Sequence, residues 1–279
     1  MPELPEVETI ARGLASRVTG DVIESLWLGH KPEPLKSPPR EIAAALEHSR
    51  IATVRRVGKH IVFDLERNRV PFTQSRAAQT TAQWIVHLGM TGRLQVCEPH
   101  SEILKHTHAI VRLASGRELR FVDPRRFGRL SVARAGGFEA GGIEPLEAGL
   151  DDFLALFRGR KTPIKSALLN QKLLRGVGNI YADESLFRAR IRPRRRASTI
   201  TREQLAGLLA SVKEVLGEAI ALGGSSISDY VDADGEAGFF QLQHRVYGRE
   251  GEPCLVCKTA IKRIVIAGRS AHYCPKCQK

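Results

Sequence analysis

The sequence predicts an α+β fold: an N-terminal β-sandwich with flanking helices, a helical C-terminal domain and a closing β-hairpin that carries cysteines. Residues 4–18 have apolar side chains at helical spacing, and short apolar runs between turn residues then continue to residue 132. Residues 151–222 return to helical spacing, and four of the five cysteines lie in the last 26 residues. One helix followed by many short strands favours a two-layer β domain.

A glycine-rich run at residues 136–142 marks the expected end of the β domain. We therefore expect three parts: a catalytic β-sandwich domain over residues 1–135, a helical domain over residues 136–243 and a four-cysteine finger over residues 244–279.

The composition indicates a globular protein with a polyanionic partner. Its 279 residues are 42% hydrophobic, which suffices for two compact domains with apolar cores. The net charge is +13, and residues 151–279 contribute +9 of it. Nucleic acid is the first candidate for so basic a surface, although a merely soluble basic protein would share the feature. No apolar run reaches the roughly 18 residues of a membrane helix, and the acidic start is unlike a signal peptide. We expect no membrane partner and a cytoplasmic location.

The first eight residues, MPELPEVE, carry a dense set of reactive groups. Removal of the initiator methionine would leave Pro2 with a free secondary amine, which attacks a carbonyl carbon when it is unprotonated. Pro5 suits a helix start and places Glu3 and Glu6 near that amine. An amine beside two carboxylates can form an iminium and move protons around it. The plainer interpretation is that these residues only begin a helix.

The next elements are a strand at residues 22–28, a short helix at 41–46 and a hairpin at 51–65 whose turn is at 57–60. Lys59 lies on that turn. A turn lysine is usually solvated, and the alternative is a cation held at a functional site. Residues 66–83 are polar and irregular, including Arg69 and Arg76, and we expect a surface loop there.

Residues 84–96 begin with an apolar run that reads as a buried strand, and Gly89 and Gly92 then bracket Met90. We expect Met90 on an exposed bend, although a gap-filling core methionine is the alternative. His106 and His108 lack a third ligand at suitable spacing, which favours a phosphate contact by His106 over a metal site.

A turn beginning at Asp123-Pro124 presents two arginines and an aromatic ring together. Arg125 and Phe127 suit a phosphate clamp and a wedge between bases. An enzyme that acts on a base within a duplex must extrude that base, and the emptied space then needs filling. For Phe127 alone, core packing is the alternative.

The helical region begins with a short helix predicted at Asp151–Phe157. A helix predicted from Thr162-Pro163 to Leu174 follows and stops at a Gly-Val-Gly-Asn turn. Another helix starts at once, so its backbone N–H groups and Asn179 offer a phosphate site. Arg160, Lys161 and Lys165 lie near that turn in sequence. The clearest helix covers residues 201–222, with Thr201 and Gln204 as a capping box. Residues 224–241 read as a loop.

The strongest metal signal is two Cys-x-x-Cys pairs separated by sixteen residues. Four thiolates at this spacing fit one tetrahedral Zn²⁺, and an ion with four protein ligands is structural. The metal ligands are Cys254, Cys257, Cys274 and Cys277. Residues 261–272 between the pairs read as a hairpin that holds Arg269 at its tip, where surface solvation is the plainer interpretation.

These motifs resemble formamidopyrimidine-DNA glycosylases, in order and over nearly the whole chain. Those bacterial DNA-repair enzymes excise oxidised purines and then cut the strand. The resemblance implies a bifunctional glycosylase and lyase with Pro2 as nucleophile, Glu3 as proton donor and Glu6 as an orienting group. It implies that Lys59 and Arg269 donate protons during strand cleavage.

The resemblance also implies which residues touch DNA and how the helical domain is built. The DNA-contacting residues would be His106, Arg125, Arg160 or Lys161, Lys165 and Asn179, with Met90, Arg125 and Phe127 filling the void left by the extruded base. The helices around Asn179 resemble a helix–two-turn–helix motif. The only cofactor implied is the structural zinc ion, and the partner is damaged double-stranded DNA.

Three alternatives remain open. An endonuclease VIII-like glycosylase would prefer oxidised pyrimidines, although that relative differs at Leu4 and in the void-filling residues. A DNA-lesion-binding zinc-finger protein would form no covalent adduct, and a zinc-dependent RNA-binding module would prefer RNA. Pro2, Glu3 and Lys59 argue against the last two. We expect a monomer that associates with the bacterial nucleoid when it is bound to DNA.

Overall fold

The structure is a computed structural model that describes residues 2–67, 80–226, 231–233 and 235–279. The chain divides into two compact units. The first comprises Met1–Pro2, Glu6–Glu139 and Ser225–Gly238, and the second comprises Glu3–Pro5, Ala140–Gly224 and Phe239–Lys279. The three-part division expected from the sequence remains a prediction.

The elements up to residue 134 are two helices and eight strands in the described part of the chain. They are α1 (Leu4–Val18), β1 (Ile23–Leu28), α2 (Pro39–Leu46), β2 (Arg50–Val57), β3 (His60–Glu66), β4 (Thr80–His87), β5 (Arg93–Cys97), β6 (Thr107–Leu113), β7 (Glu118–Val122) and β8 (Arg129–Arg134). The strands form two antiparallel sheets with the orders β2-β3-β4-β8 and β1-β6-β7-β5.

One apolar core joins the two sheets and the helices of the first unit. Val7, Ile10 and Leu14 recur at helical spacing and turn one face of α1 into this core. Alternate residues of β3, such as Ile61 and Phe63, enter the same core together with inward residues of the second sheet. This arrangement is the expected β-sandwich, and the prediction of an α+β fold is confirmed.

The second unit is helical and ends in a hairpin. Its elements are α3 (Leu150–Phe157), α4 (Ile164–Leu168), α5 (Asn179–Arg188), α6 (Arg202–Ala221), β9 (Lys262–Ile266) and β10 (Arg269–Tyr273). The capping box predicted at Thr201 and Gln204 is present at the start of α6. Ala267 and Gly268 both adopt positive φ in the two-residue turn between β9 and β10, as a tight hairpin requires. Among the described residues, no helix combines the length and apolar content that a bilayer span requires.

The apolar run at the start of residues 84–96 is part of strand β4, as expected. The chain then turns at the Met90 bend and enters β5 of the other sheet, with Gly89 at φ +67° and the amide of Gly92 bonded to the carbonyl of Leu88 at 2.9 Å. The helix expected to reach Leu174 ends at Leu168. There the side chain of Asn170 accepts a hydrogen bond from the amide of Lys172 at 3.0 Å, a local bond that competes with helix continuation.

Part of the segment expected as a polar loop at residues 66–83 is strand. Strands β3 and β4 pair from His60 opposite His87 to Glu66 opposite Thr80, so β4 begins earlier than the sequence indicated. Arg69 and Arg76 lie outside the described residues, as do residues 227–230 and 234 of the second expected loop.

Candidate active site

The carboxylate of Glu3 is buried at the start of helix α5. Glu3 is 4% exposed, and its Oε1 accepts a hydrogen bond from the amide of Ile180 at 3.2 Å. The partial positive charge of a helix N-terminus stabilises a carboxylate in this position. Gly178 makes the approach possible, since a Cβ there would lie 2.2 Å from Cδ of Glu3. The preceding residue, Pro2, is also buried. The acid is therefore fixed next in sequence to the predicted nucleophile.

Glu6 is the second buried carboxylate of the amino-terminal motif. It is 2% exposed, and its Oε1 accepts a hydrogen bond from the amide of Ser225 at 2.8 Å. Within the first unit, Glu6 therefore holds the start of the segment Ser225–Gly238.

Lys59 lies on the β2–β3 turn but is only 8% exposed, so the plainer interpretation of a solvated lysine does not fit. Arg56 fixes the turn: it donates to the carbonyl of Gly58 at 3.2 Å and to the carboxylate of Glu8 at 2.7 Å. Burial raises the pKa of Glu8, but the hydrogen bonds and charges of Arg56 and Arg12 together outweigh burial and leave this pKa lowered. The ionised Glu8 and Arg56 thus tie the Lys59 turn to helix α1.

Two histidines lie next to Lys59 in the sheet. The rings of His60 and His87 are 4.9 Å apart between centroids. Burial lowers the pKa of His87 to about 4, assisted by the positive charges of His60, Arg129 and Lys59. The amide of Gly89 donates to Nδ1 of His87 at 3.1 Å, which leaves the ring proton on Nε2. His87 is therefore neutral at physiological pH and adds no competing positive charge.

The structure brings the three predicted void-filling residues together in the first unit. Met90 and Phe127 are 39% and 53% exposed, and the guanidinium carbon of Arg125 lies 4.9 Å from the centre of the Phe127 ring. A Cβ on Gly89 would lie 2.5 Å from the backbone of Phe127, so glycine permits the Met90 bend to approach that backbone. The exposed bend expected for Met90 is present, and the alternative of core packing for Phe127 does not hold.

Asp123, which was predicted only as the start of a turn, holds this cluster in place. It is 0% exposed, and its two carboxylate oxygens accept from Thr91 Oγ1 at 2.6 Å, the amide of Arg125 at 3.2 Å and the amide of Gly128 at 2.7 Å. Its own amide donates to the carbonyl of His106 at 3.0 Å. His106 is exposed with φ +71°, so Asp123 links the predicted phosphate ligand to the void-filling cluster.

In the second unit, Asn179 and Lys165 contact the strand that carries Arg269. The side-chain amide of Asn179 donates to Oγ of Ser270 at 3.1 Å. Lys165 donates to Oδ1 of Asp183 at 2.6 Å and to the carbonyl of Ser270. Oδ2 of Asp183 accepts from the amide of His272 at 2.8 Å. Arg269 itself is exposed at the start of β10.

A direct DNA contact by Lys165 does not fit this geometry. The side chain is 0% exposed and paired with a carboxylate that is equally buried. Burial lowers the pKa of Lys165, and the negative charge of Asp183 opposes that effect. Lys165 therefore supports β10, the strand that carries Arg269, from a buried position through its bond to the carbonyl of Ser270. Arg160 and Lys161 are exposed, although Nε of Arg160 is bonded to the carbonyl of Leu156.

The four predicted metal ligands converge at the base of the β9–β10 hairpin. Their sulfur atoms all lie within 4.8 Å of one another, with 3.9 Å from Cys254 to Cys277 and 3.4 Å from Cys257 to Cys274. A tetrahedral ion with Zn–S bonds of about 2.3 Å places its sulfurs about 3.8 Å apart. The donors therefore fit one structural zinc ion, which would hold the two ends of the finger together.

Replacing one of these ligands is expected to release the metal. Cys257→Ser should lose the zinc ion, measured by elemental analysis, and weaken binding of duplex DNA because the Arg269 strand is no longer held by the metal. Cys97→Ser is the matched control, since Cys97 lies outside the cluster and burial raises the pKa of its thiol. Undiminished zinc in Cys257→Ser would contradict the assignment.

Four residues outside the sequence-based set thus support the predicted ones. Asp123 follows a strand and precedes a proline, a signal that indicated the turn but not the buried bonds. Gly178 stands in the Gly-Val-Gly-Asn turn, whose glycines were assigned to the turn alone. Arg56 and Asp183 carry no local signal, because their partners are distant in sequence.

Family models match this chain in three consecutive regions. Residues 1–130 match the formamidopyrimidine-DNA glycosylase N-terminal domain, residues 142–231 match the H2TH domain of the same family, and residues 251–279 match the zinc finger found in FPG and IleRS. The predicted helix–two-turn–helix region is thereby confirmed.

Curated relatives agree over the full length. The formamidopyrimidine-DNA glycosylase of Solibacter usitatus is 45% identical and that of Listeria monocytogenes is 37% identical, each with complete coverage of both chains.

Solved structures of relatives have the same fold. The MutM (Fpg) protein of Thermus thermophilus is 40% identical with a TM-score of 0.85, covering 99% of this chain and 98% of that one. A point mutant of Lactococcus lactis Fpg, in complex with DNA containing Fapy-dG, is 31% identical with a TM-score of 0.89 and full coverage of both chains. Wild-type Lactococcus lactis Fpg, in complex with DNA containing an oxidised pyrimidine, is 31% identical with a TM-score of 0.87 and full coverage of both chains. Sequence, domain order and structure together show that the chain belongs to the formamidopyrimidine-DNA glycosylase family.

Proposed function

We propose that this protein excises oxidised purines, including 8-oxoguanine and formamidopyrimidines, from damaged duplex DNA and then cuts the strand at the abasic site. The observation that carries the proposal is the position of the Glu3 carboxylate. It is buried and accepts a hydrogen bond at the N-terminus of α5, and Glu3 follows Pro2 directly in the sequence. The net charge of +13 suits a DNA partner, and a relative of the same fold binds DNA containing Fapy-dG.

The first chemical step forms a bond between protein and sugar. With Met1 removed, the lone pair of the Pro2 nitrogen attacks C1′ while the glycosidic bond breaks and its electron pair leaves with the base, which takes a proton from water. The carboxylate of Glu3 takes the proton that the Pro2 nitrogen loses and passes it to O4′ as the sugar ring opens, which leaves an iminium between Pro2 and C1′. Glu6 keeps the motif oriented through the amide of Ser225.

Strand cleavage follows from the electron demand of the iminium. It makes the C2′ proton acidic, so that proton is lost as the bond from C3′ to its phosphate oxygen breaks. Loss of the C4′ proton then expels the second phosphate from C5′. Lys59 donates a proton during strand cleavage and Arg269 does so in the last elimination, where its charge also binds phosphate. Water finally hydrolyses the iminium and releases Pro2.

DNA contacts are proposed for residues of each unit, all of them exposed except the half-buried Asn179. His106 and Arg125 bind phosphates in the first unit, and Arg160 or Lys161 and Asn179 do so in the second. Met90, Arg125 and Phe127 fill the space of the extruded base. Lys165 is proposed as a positioning residue for the Arg269 strand. We further propose a monomer that works at the bacterial nucleoid.

Loss of the Asp123 carboxylate is expected to disorder the void-filling cluster. Asp123→Ala removes three hydrogen bonds, so affinity for a duplex with an abasic-site analogue should fall about tenfold or more. Asp123→Asn keeps one acceptor oxygen, so its affinity for the same duplex should lie between those of the wild type and Asp123→Ala. Fluorescence anisotropy measures the affinity, and equal affinities in all three proteins would refute the role.

The central test is capture of the iminium by borohydride on an 8-oxoguanine duplex. The wild type should give a covalent complex whose protein end, read by mass spectrometry, begins at Pro2. Pro2→Gly should give much less, because it loses the secondary amine. Lys59→Ala should still be trapped yet cut the strand slowly. Equal trapping by Pro2→Gly would refute the nucleophile.

Oxidised pyrimidines are the second candidate substrate. The carrying observation is the complex of the Lactococcus lactis relative with DNA that contains an oxidised pyrimidine. The cluster of Met90, Arg125 and Phe127 supports the purine preference. Competition between the two lesions in one reaction decides the order, and faster excision of the pyrimidine would favour endonuclease VIII-like specificity.

A further inference from the structure

A concave site lies in the first unit, at the end of strand β1. It encloses about 450 Å³, and the side chains that matter here are Trp27, His30, Lys31, His106 and Arg126. The volume is within the range of small-molecule sites, and the lining combines one aromatic ring with several basic groups. The proposed chemistry uses only His106 from this set.

The aromatic wall is Trp27. It is 50% exposed and lies on β1, at the edge of its sheet. Its Cη2 atom would be 3.5 Å from a Cβ on Gly29, so the ring lies over a residue without a side chain. An exposed indole face on a rigid strand is a stacking platform for a base.

The basic wall is held in an uncommon backbone conformation. His106 and Arg126 have φ of +71° and +58°, which non-glycine residues seldom adopt and which must be stabilised by their surroundings. The backbone of Asp123 supplies that support: its amide donates to the carbonyl of His106 at 3.0 Å, and its carbonyl accepts from the amide of Arg126 at 3.3 Å and from Nε2 of His108 at 2.9 Å. The basic groups are thus pre-positioned.

A carboxylate already lies among these cations. Arg126 donates to Oε1 of Glu33 at 2.7 Å, and both side chains are more than 40% exposed. The pKa of Glu33 is lowered first by a hydrogen bond from its own backbone and then by the charges of Arg126, Lys31 and His108. An exposed pair of this kind is weak, so a phosphate can take the place of the carboxylate beside Arg126.

We propose that this cavity binds one nucleotide unit, with its base against Trp27 and its phosphate between Lys31 and Arg126. The nucleotide comes either from an unpaired stretch of DNA bound to the protein or from a free nucleotide, and both present the same base and phosphate. The inference rests on the proposed function only in taking DNA as a partner. It does not use Pro2 or Glu3.

Intrinsic fluorescence tests the site without any label. The chain has two tryptophans, and Trp84 is 1% exposed, so quenching by an added ligand reports Trp27. The intact protein is titrated with dGMP, with a blunt duplex and with the same duplex carrying a four-nucleotide overhang. Saturable quenching by dGMP alone supports a free nucleotide, and quenching by the overhang but not the blunt duplex supports a DNA source. The proposal is overturned if none of the three ligands quenches the fluorescence. It is also overturned if the two duplexes quench equally and dGMP does not quench.

Variants separate this site from general charge attraction. Lys31→Ala should weaken the binding about fivefold, and Glu33→Gln should strengthen it severalfold because Arg126 loses its competing carboxylate. Arg40→Ala removes an exposed charge elsewhere in the same unit and should change nothing. Equal weakening by Lys31→Ala and Arg40→Ala, or no gain from Glu33→Gln, contradicts the assignment.

Base excision on the blunt duplex is measured in the same proteins and should be unchanged in Lys31→Ala and Glu33→Gln. Quenching without any excision would refute the proposed function and leave this site standing. Excision without quenching would refute this site and leave the proposed function standing.

Discussion

Gly178→Ala is expected to reduce base excision by about a hundredfold or more, because misplacing a catalytic group by about 1 Å has effects of this size. The Cβ of alanine would lie 2.2 Å from Cδ of Glu3 and within 2.5 Å of both carboxylate oxygens. The backbone of Gly178 is extended, with φ −128°, so alanine adopts it without strain. The effect is therefore steric: Glu3 must leave the start of α5, and its carboxylate loses the amide of Ile180.

The control uses a glycine with free space around it. Gly217 lies within α6, and a Cβ there meets nothing within 4 Å. Gly217→Ala should leave excision unchanged and raise stability by about 0.5–1 kcal/mol, because alanine favours the helix. Single-turnover excision of 8-oxoguanine, thermal unfolding and zinc content are compared in the two variants. If Gly178→Ala folds normally and excises within threefold of wild type, Glu3 does not act from this position.

Local patterns predicted the parts of this fold that local interactions determine. The spacing of Val7, Ile10 and Leu14 predicted α1, and the Thr201–Gln204 capping box predicted the start of α6. The two Cys-x-x-Cys pairs predicted the metal site, since thiolate spacing within a short finger limits the geometry. In each case the interacting groups lie within about one turn of helix or one hairpin of each other.

Long-range contacts explain what the sequence did not reveal. The strands on either side of the Met90 bend belong to different sheets, and only their partners β8 and β7 show which sheet each strand joins. Lys165 reads as a surface cation because lysines are rarely buried. Its partner Asp183 lies 18 residues away and becomes visible only when α4 and α5 pack together. The position of the Glu3 carboxylate likewise depends on Gly178, which is distant from Glu3 in the sequence.

Lys165→Met is the second change with a large expected effect. It leaves the carboxylate of Asp183 buried without its cation, and breaking a buried ion pair in this way costs about 3–5 kcal/mol. The same change removes the bond to the carbonyl of Ser270, next to Arg269. We expect lower stability of the second unit, and we expect the final elimination to suffer more than base excision. Denaturant unfolding gives the first quantity, and the ratio of β- to δ-elimination products on a gel gives the second.

The double variant Lys165→Met with Asp183→Asn separates stability from positioning. Neutralising both partners removes the unpaired buried charge, so much of the lost stability should return. The strand that carries Arg269 still lacks the bond from Lys165 to Ser270, and the amide of His272 now meets a neutral side chain. The deficit in δ-elimination should therefore persist while stability recovers. If stability and δ-elimination recover together, Lys165 only stabilises the fold. If the deficit in δ-elimination persists, this ion pair is the support that positions Arg269 for the last elimination.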